Sequence, residues 1–107
     1  MQAENEFIMS LYGCFRDVSK TYIVTVLLGL KTDNFMLGTD GKLRLFNEYP
    51  VYHGNECVVF NSVFHKYEKK VIDETARKIY MIRNRATVEW DEQSQELVDE
   101  ISKILKK

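Results

Sequence analysis

The apolar run over residues 21–30, Thr-Tyr-Ile-Val-Thr-Val-Leu-Leu-Gly-Leu, constrains this fold more than any other stretch. It is dense in β-branched and aromatic residues, which fit a pleated, packed surface better than a helix. Both alternate sets are mostly apolar: Tyr22, Val24, Val26, Leu28 and Leu30 on one side, Ile23, Thr25, Leu27 and Gly29 on the other. A strand apolar on both sides sits centrally in a sheet and is covered on both faces. The spacing therefore predicts a central strand. The rival reading is a buried helix opened by Asp17 or Ser19, because periodicity alone does not separate the two in a short apolar run. The run is too short for a membrane-spanning helix, which takes about 20 apolar residues.

The rest of the chain supplies elements to cover that stretch. Residues 3–15 read as an amphipathic helix with Phe7, Ile8, Leu11, Tyr12 and Phe15 on one face, and with Glu4 and Glu6 in the first turn, where the helix dipole favours negative charge. Polar residues 31–34 suit a hairpin loop, and residues 35–37 begin a second strand. Gly38-Thr-Asp-Gly41 is the clearest turn signal, since Asp-Gly favours positive φ. Residues 42–48 alternate as a half-exposed strand, which Tyr49-Pro50 ends because proline has no N–H to donate. After a loop over residues 51–56, residues 57–60 form a short strand candidate extensible to Val63, with Asn61 or Ser62 capping a helix as the alternative. From Tyr67 the helical stripe Val71, Ile72, Ala76, Ile79 and Tyr80 is firm, and Asn84 is its stop. Residues 87–90 form an edge strand or an extended link. Asp91 caps a last helix that buries Leu97, Val98, Ile101, Ile104 and Leu105 and runs to about residue 106. The expected fold is α+β: a small antiparallel sheet of three or four strands, packed by an N-terminal helix and two C-terminal helices.

At 107 residues the chain suits one domain with a real core. A net charge of −1 sets up no global field toward nucleic acid or membrane. Cys14 and Cys57 sit among apolar neighbours and make no disulfide framework, which points to a reducing, cytoplasmic setting. The acidic N-terminus lacks the basic region of a signal peptide. No membrane association is expected.

Four groups of residues are candidate sites. Arg44, Phe46, Tyr49, Tyr52 and Trp90 place aromatics and a guanidinium at half-exposed strand, turn and link positions, which is what protein interfaces prefer. Lys66, Lys69, Lys70, Arg77 and Lys78 crowd one helix and could contact phosphates. The acidic segment over residues 89–100 offers them an internal counter-charge instead, and Asp73–Arg77 and Glu74–Lys78 are spaced to pair on the helix itself. His53, Glu56, Cys57 and His65 are ligand types, but their spacing matches no standard zinc pattern. Cys14 or Cys57 with a histidine would be a nucleophilic pair without any accompanying oxyanion-type glycine motif. The expected role is a non-enzymatic protein–protein interaction module, an accessory subunit or a small inhibitor or regulator of a larger machine, with homodimerisation and no cofactor or metal. Nucleic-acid binding by the basic helix is the alternative, and a small Cys/His hydrolase comes third.

Overall fold

The computed structural model describes residues 2–46 and 58–106. Among them five helices and two strands follow in the order α1 (Gln2–Phe15), α2 (Val18–Leu27), β1 (Phe35–Leu37), β2 (Leu43–Leu45), α3 (Val58–Phe64), α4 (Lys69–Arg83) and α5 (Glu92–Leu105). The fold is α+β, but helix dominates it. The described residues hold one antiparallel hairpin, with Phe35 opposite Leu45, Met36 opposite Arg44 and Leu37 opposite Leu43, in place of a meander of three or four strands.

The main correction falls on residues 21–30. They are not a strand: residues 18–27 form α2, opened by Asp17 as the rival reading has it. The Asp17 carboxylate accepts the Lys20 amide at 3.0 Å, satisfying a first-turn N–H that the helix leaves unpaired. Thr21 and Thr25 return their hydroxyl protons to the carbonyls of Asp17 and Thr21, at 2.7 Å each, so neither brings an orphan polar group into the core. The helix closes with Gly29 at φ +76°, the Leu30 amide on the Thr25 carbonyl and the Gly29 amide on the Val26 carbonyl. That is the left-handed helix stop in which glycine is favoured. Ser19 and Thr21 to Thr25 are all buried. A helix apolar all round belongs inside a core, and α2 packs against α1, α4, α5 and β2. The stretch is central, as its composition requires; its conformation is set by Asp17, Gly29 and the neighbours that surround it.

The loop over residues 31–34 therefore joins α2 to β1 and closes no hairpin. It is tied back to α1, with the Asn34 amide group donating to the Asn5 Oδ1 at 3.1 Å. The hairpin turn is the one its Asp-Gly pair predicts. The Gly38 amide meets the Lys42 carbonyl at 2.9 Å, the Gly41 amide meets the Gly38 carbonyl at 3.0 Å, and Gly41 takes φ +79°.

Residues 58–60 are helical rather than extended and open α3, whose Phe60 and Phe64 pack edge-on against Phe15 of α1. The face of α1 is Ile8, Leu11 and Phe15, while Phe7 lies off it and is exposed. Residues 87–90 carry no strand and link α4 to α5. Asp91 caps α5 as expected, accepting the Ser94 amide at 3.1 Å. Leu97 and Ile101 then bury α5 against the core. No helix among the described residues is long and apolar enough to cross a membrane.

Candidate functional site

The hairpin presents two surfaces, one on its outer face and one at its turn. Phe35 is buried and Leu37, Leu43 and Leu45 are half-buried toward the helices, so Met36 and Arg44, cross-strand partners, point away. Phe46 continues the alternation, its amide bonded to the Asn34 carbonyl at 2.7 Å. Met36 is 57% exposed and Phe46 56% exposed, so two large apolar side chains share this outer face with Arg44. That guanidinium is held. Arg44 donates to both oxygens of Asp40, at 3.1 and 2.7 Å, and Asp40 also accepts the Lys42 amide. These donors, Arg44 first, hold the Asp40 carboxyl well below the usual carboxylate range, and Asp40 in turn raises Arg44. Arg44 lies folded over Gly38: a side chain at position 38 would collide with its Nη1.

The second surface is a groove of about 560 Å³ where the turn meets the junction of α1 and α2 and one face of α4. Tyr12, Val18 and Leu43 give it apolar lining, and Arg16, Asp17, Asp40, Lys42, Lys69, Asp73 and Arg77 bring charge. Arg16, at φ +53°, is the left-handed residue that breaks the chain between α1 and α2. Lys69 bridges Asp17, at 2.5 Å, and Asp73, while the Ser19 hydroxyl donates to Asp73 at 2.8 Å. Burial works against the Lys69 ammonium, but the two carboxylates outweigh it and raise its pKa. The Arg77 guanidinium reaches the turn, with Nη1 3.6 Å from where a Cβ on Gly41 would stand.

The five basic residues of the phosphate-binding reading do not form one open face. Lys66 pairs with Glu100 at 2.7 Å, Lys69 with Asp17 and Asp73, and Lys78 with Asp91 at 3.6 Å. Lys70 is exposed, and Arg77 turns into the groove. The carboxylates of α5 and its cap thus neutralise part of the basic stretch. The partners are Lys69–Asp73 and Lys78–Asp91 in place of Asp73–Arg77 and Glu74–Lys78. Lys66 and the Tyr67 hydroxyl both bond to Glu100, which lowers the Glu100 carboxyl. Burial first, and then Glu100, push the Tyr67 phenol up. Burial likewise pushes the Tyr22 phenol up to about 12, against the opposing pull of Arg83, so Tyr22 stays neutral.

Of the protein-binding candidates, Arg44 and Phe46 share the outer hairpin face. Trp90 belongs to the link before α5, its indole N–H donating to Gln95 at 2.6 Å. Tyr49 and Tyr52 lie outside the described residues, as do His53, Glu56 and Cys57. His65 is exposed, Cys14 is half-buried, and among the described residues no cluster of His, Cys, Asp and Glu could hold a metal ion. Met36 and the groove residues Tyr12, Arg16 and Lys42 were not singled out from the sequence. Met36 was findable, since the Asp-Gly turn sets the register that pairs it with Arg44. The chain matches no protein-family model, no curated protein and no solved structure.

Proposed function

We propose that this protein is a non-enzymatic protein–protein interaction module that docks through the outer face of its hairpin. The observation that supports the reading is the exposure of Met36 and Phe46 on the hairpin face that also carries Arg44, whose guanidinium is already fixed by Asp40. Exposed Met, aromatic and Arg residues are what interface centres favour, and an arginine held before binding loses less freedom on docking. An accessory subunit, or a small inhibitor or regulator of a larger assembly, suits a chain of this size, and a second copy docking on the same face would make a homodimer. A cytoplasmic setting goes with this reading. Binding of nucleic acid through Lys66, Lys69, Lys70, Arg77 and Lys78 is disfavoured by the ion pairs that engage Lys66, Lys69 and Lys78.

The test is affinity capture from host lysate at low and high salt, with nuclease-treated controls, together with sedimentation of the pure protein. Met36→Ser with Phe46→Ser should abolish a capture or self-association that the parent protein shows at high salt. Alanine at Tyr49 and Tyr52 probes whether those aromatics extend the surface. A complex or dimer that survives both double variants sinks the reading. Recovery of nucleic acid that washes off with salt would promote the basic residues instead.

A further inference from the structure

The groove between the hairpin turn, the α1–α2 junction and α4 has a charge balance that its residue count hides. Its three carboxylates are all engaged. Asp17 takes the Lys20 amide and Lys69, Asp73 takes Ser19 and Lys69, and Asp40 takes Arg44 and the Lys42 amide. Arg44 and Lys69 are thereby used up. The side chains of Lys42 and Arg77 form no salt bridge among the described residues, yet both line the same groove. The groove also starts at the first turn of α2, whose dipole favours negative charge. Tyr12, Val18 and Leu43 supply apolar surface between these groups. A volume of about 560 Å³ falls within the size of small-molecule sites.

We propose that this groove binds a small organic anion: a phosphate-monoester or carboxylate head held by Lys42 and Arg77, with an apolar body against Tyr12, Val18 and Leu43. The bound carboxylates do not repel such a head as bare charges would, because each already carries a cation or amide donors. A cationic ligand finds no unengaged carboxylate in the groove. This site is separate from the outer hairpin face, so its failure leaves the docking reading untouched.

Phenyl phosphate, benzoate, inorganic phosphate and benzylamine are the probes, titrated into the full chain and followed by amide chemical shifts and calorimetry. Phenyl phosphate or benzoate should shift the amides of Val18, Ser19 and Leu43 and bind more tightly than inorganic phosphate. The better of the two tells whether the head is a phosphate monoester or a carboxylate. Lys42→Gln and Arg77→Gln should each weaken that binding about tenfold, the effect expected on losing one charge-assisted hydrogen bond. Lys42 is exposed, so its variant keeps the test alive should Arg77→Gln fail to fold. Binding of inorganic phosphate as tight as that of phenyl phosphate would remove the apolar half of the proposal. Benzylamine binding as well as the anions, indifference to both variants, or silence from every probe would overturn the whole.

Discussion

Replacing Thr75 by valine should cost more stability than its small change in shape suggests. Thr75 and Ser94 are fully buried where α4 meets the start of α5, with their hydroxyl oxygens 2.8 Å apart. Thr75 also donates to the Val71 carbonyl at 2.8 Å. A hydroxyl has one proton, so with Thr75 bonded to Val71 it is Ser94 that donates in the pair, and the Asp91 carboxylate stands as a second acceptor for the Ser94 hydroxyl. Valine removes the Thr75 oxygen and leaves Ser94 the Asp91 carboxylate as acceptor, so the loss is that of one buried hydrogen bond, about 0.5–1.5 kcal/mol. The Val71 carbonyl keeps its helical amide partner, and valine and threonine have similar helix propensity, so little else changes. Ser94→Ala leaves Thr75 still bonded to Val71 but also takes a hydroxyl from Asp91, so it should cost at least as much, about 0.5–1.5 kcal/mol or more. Both changes remove the same Thr75–Ser94 bond, so the double variant should cost less than the sum of the singles. Urea unfolding of the four proteins by circular dichroism reads this directly, and an unchanged slope keeps the comparison valid. By heat, each kcal/mol is worth about 4–8 °C for a domain near this size. Full stability in Thr75→Val, or a double variant that costs the sum of the singles, would refute the reasoning.

Three further outcomes follow from the same geometry. Asp17→Ala should lower stability by about 1–2 kcal/mol through loss of the α2 cap and Asp17→Asn by much less, measured by the urea midpoint; equal losses would mean that the Lys69 pair, not the cap, carries the effect. The Glu100 carboxyl is lowered in the folded protein, so its contribution is complete above the ordinary value of 4.5 and is lost as pH falls through the lower folded value. The stability gap between Glu100→Gln and the parent should therefore narrow from neutral pH down to about pH 3, and a constant gap would contradict the assignment. Arg85 ends α4 in the left-handed region at φ +66°, so Arg85→Gly should raise stability by up to about 1 kcal/mol, and a loss would show that its side chain is needed.

Where local signals agreed, the sequence was readable. The stripe of α4, the Asp91 cap of α5 and the Asp-Gly turn each combine periodicity with a stop or start residue, and each is found in place. Residues 21–30 failed because β-branched composition and all-round burial look the same in a central strand and a central helix. The deciding residues were Asp17 before the run and Gly29 near its end, a cap and a stop that the strand reading absorbed as neighbours. Residues 58–60 failed for the same reason, being a short apolar run with no cap of their own among the described residues. The site was less legible still. Lys66 finds Glu100 and Lys69 finds Asp17, partners far apart in the chain, so spacing along one helix could not show which cations were already engaged. The groove is assembled from three separate segments, and no local pattern announces it.

The mismatch between what α2 is made of and what it becomes has a consequence for how the chain can fail. Residues 21–28 carry no charge and no proline and favour extended backbone, which is the composition of segments that stack into fibrils. As an isolated helix they are weak, because β-branched residues lose rotamer freedom there. The helix persists because α1, α4, α5 and β2 enclose it and Asp17 starts it. A chain that opens far enough to uncover α2 releases the segment best suited to pair with its copy in a neighbouring molecule. The Asp17–Lys69 contact, which joins the start of α2 to α4, then guards solubility as well as shape.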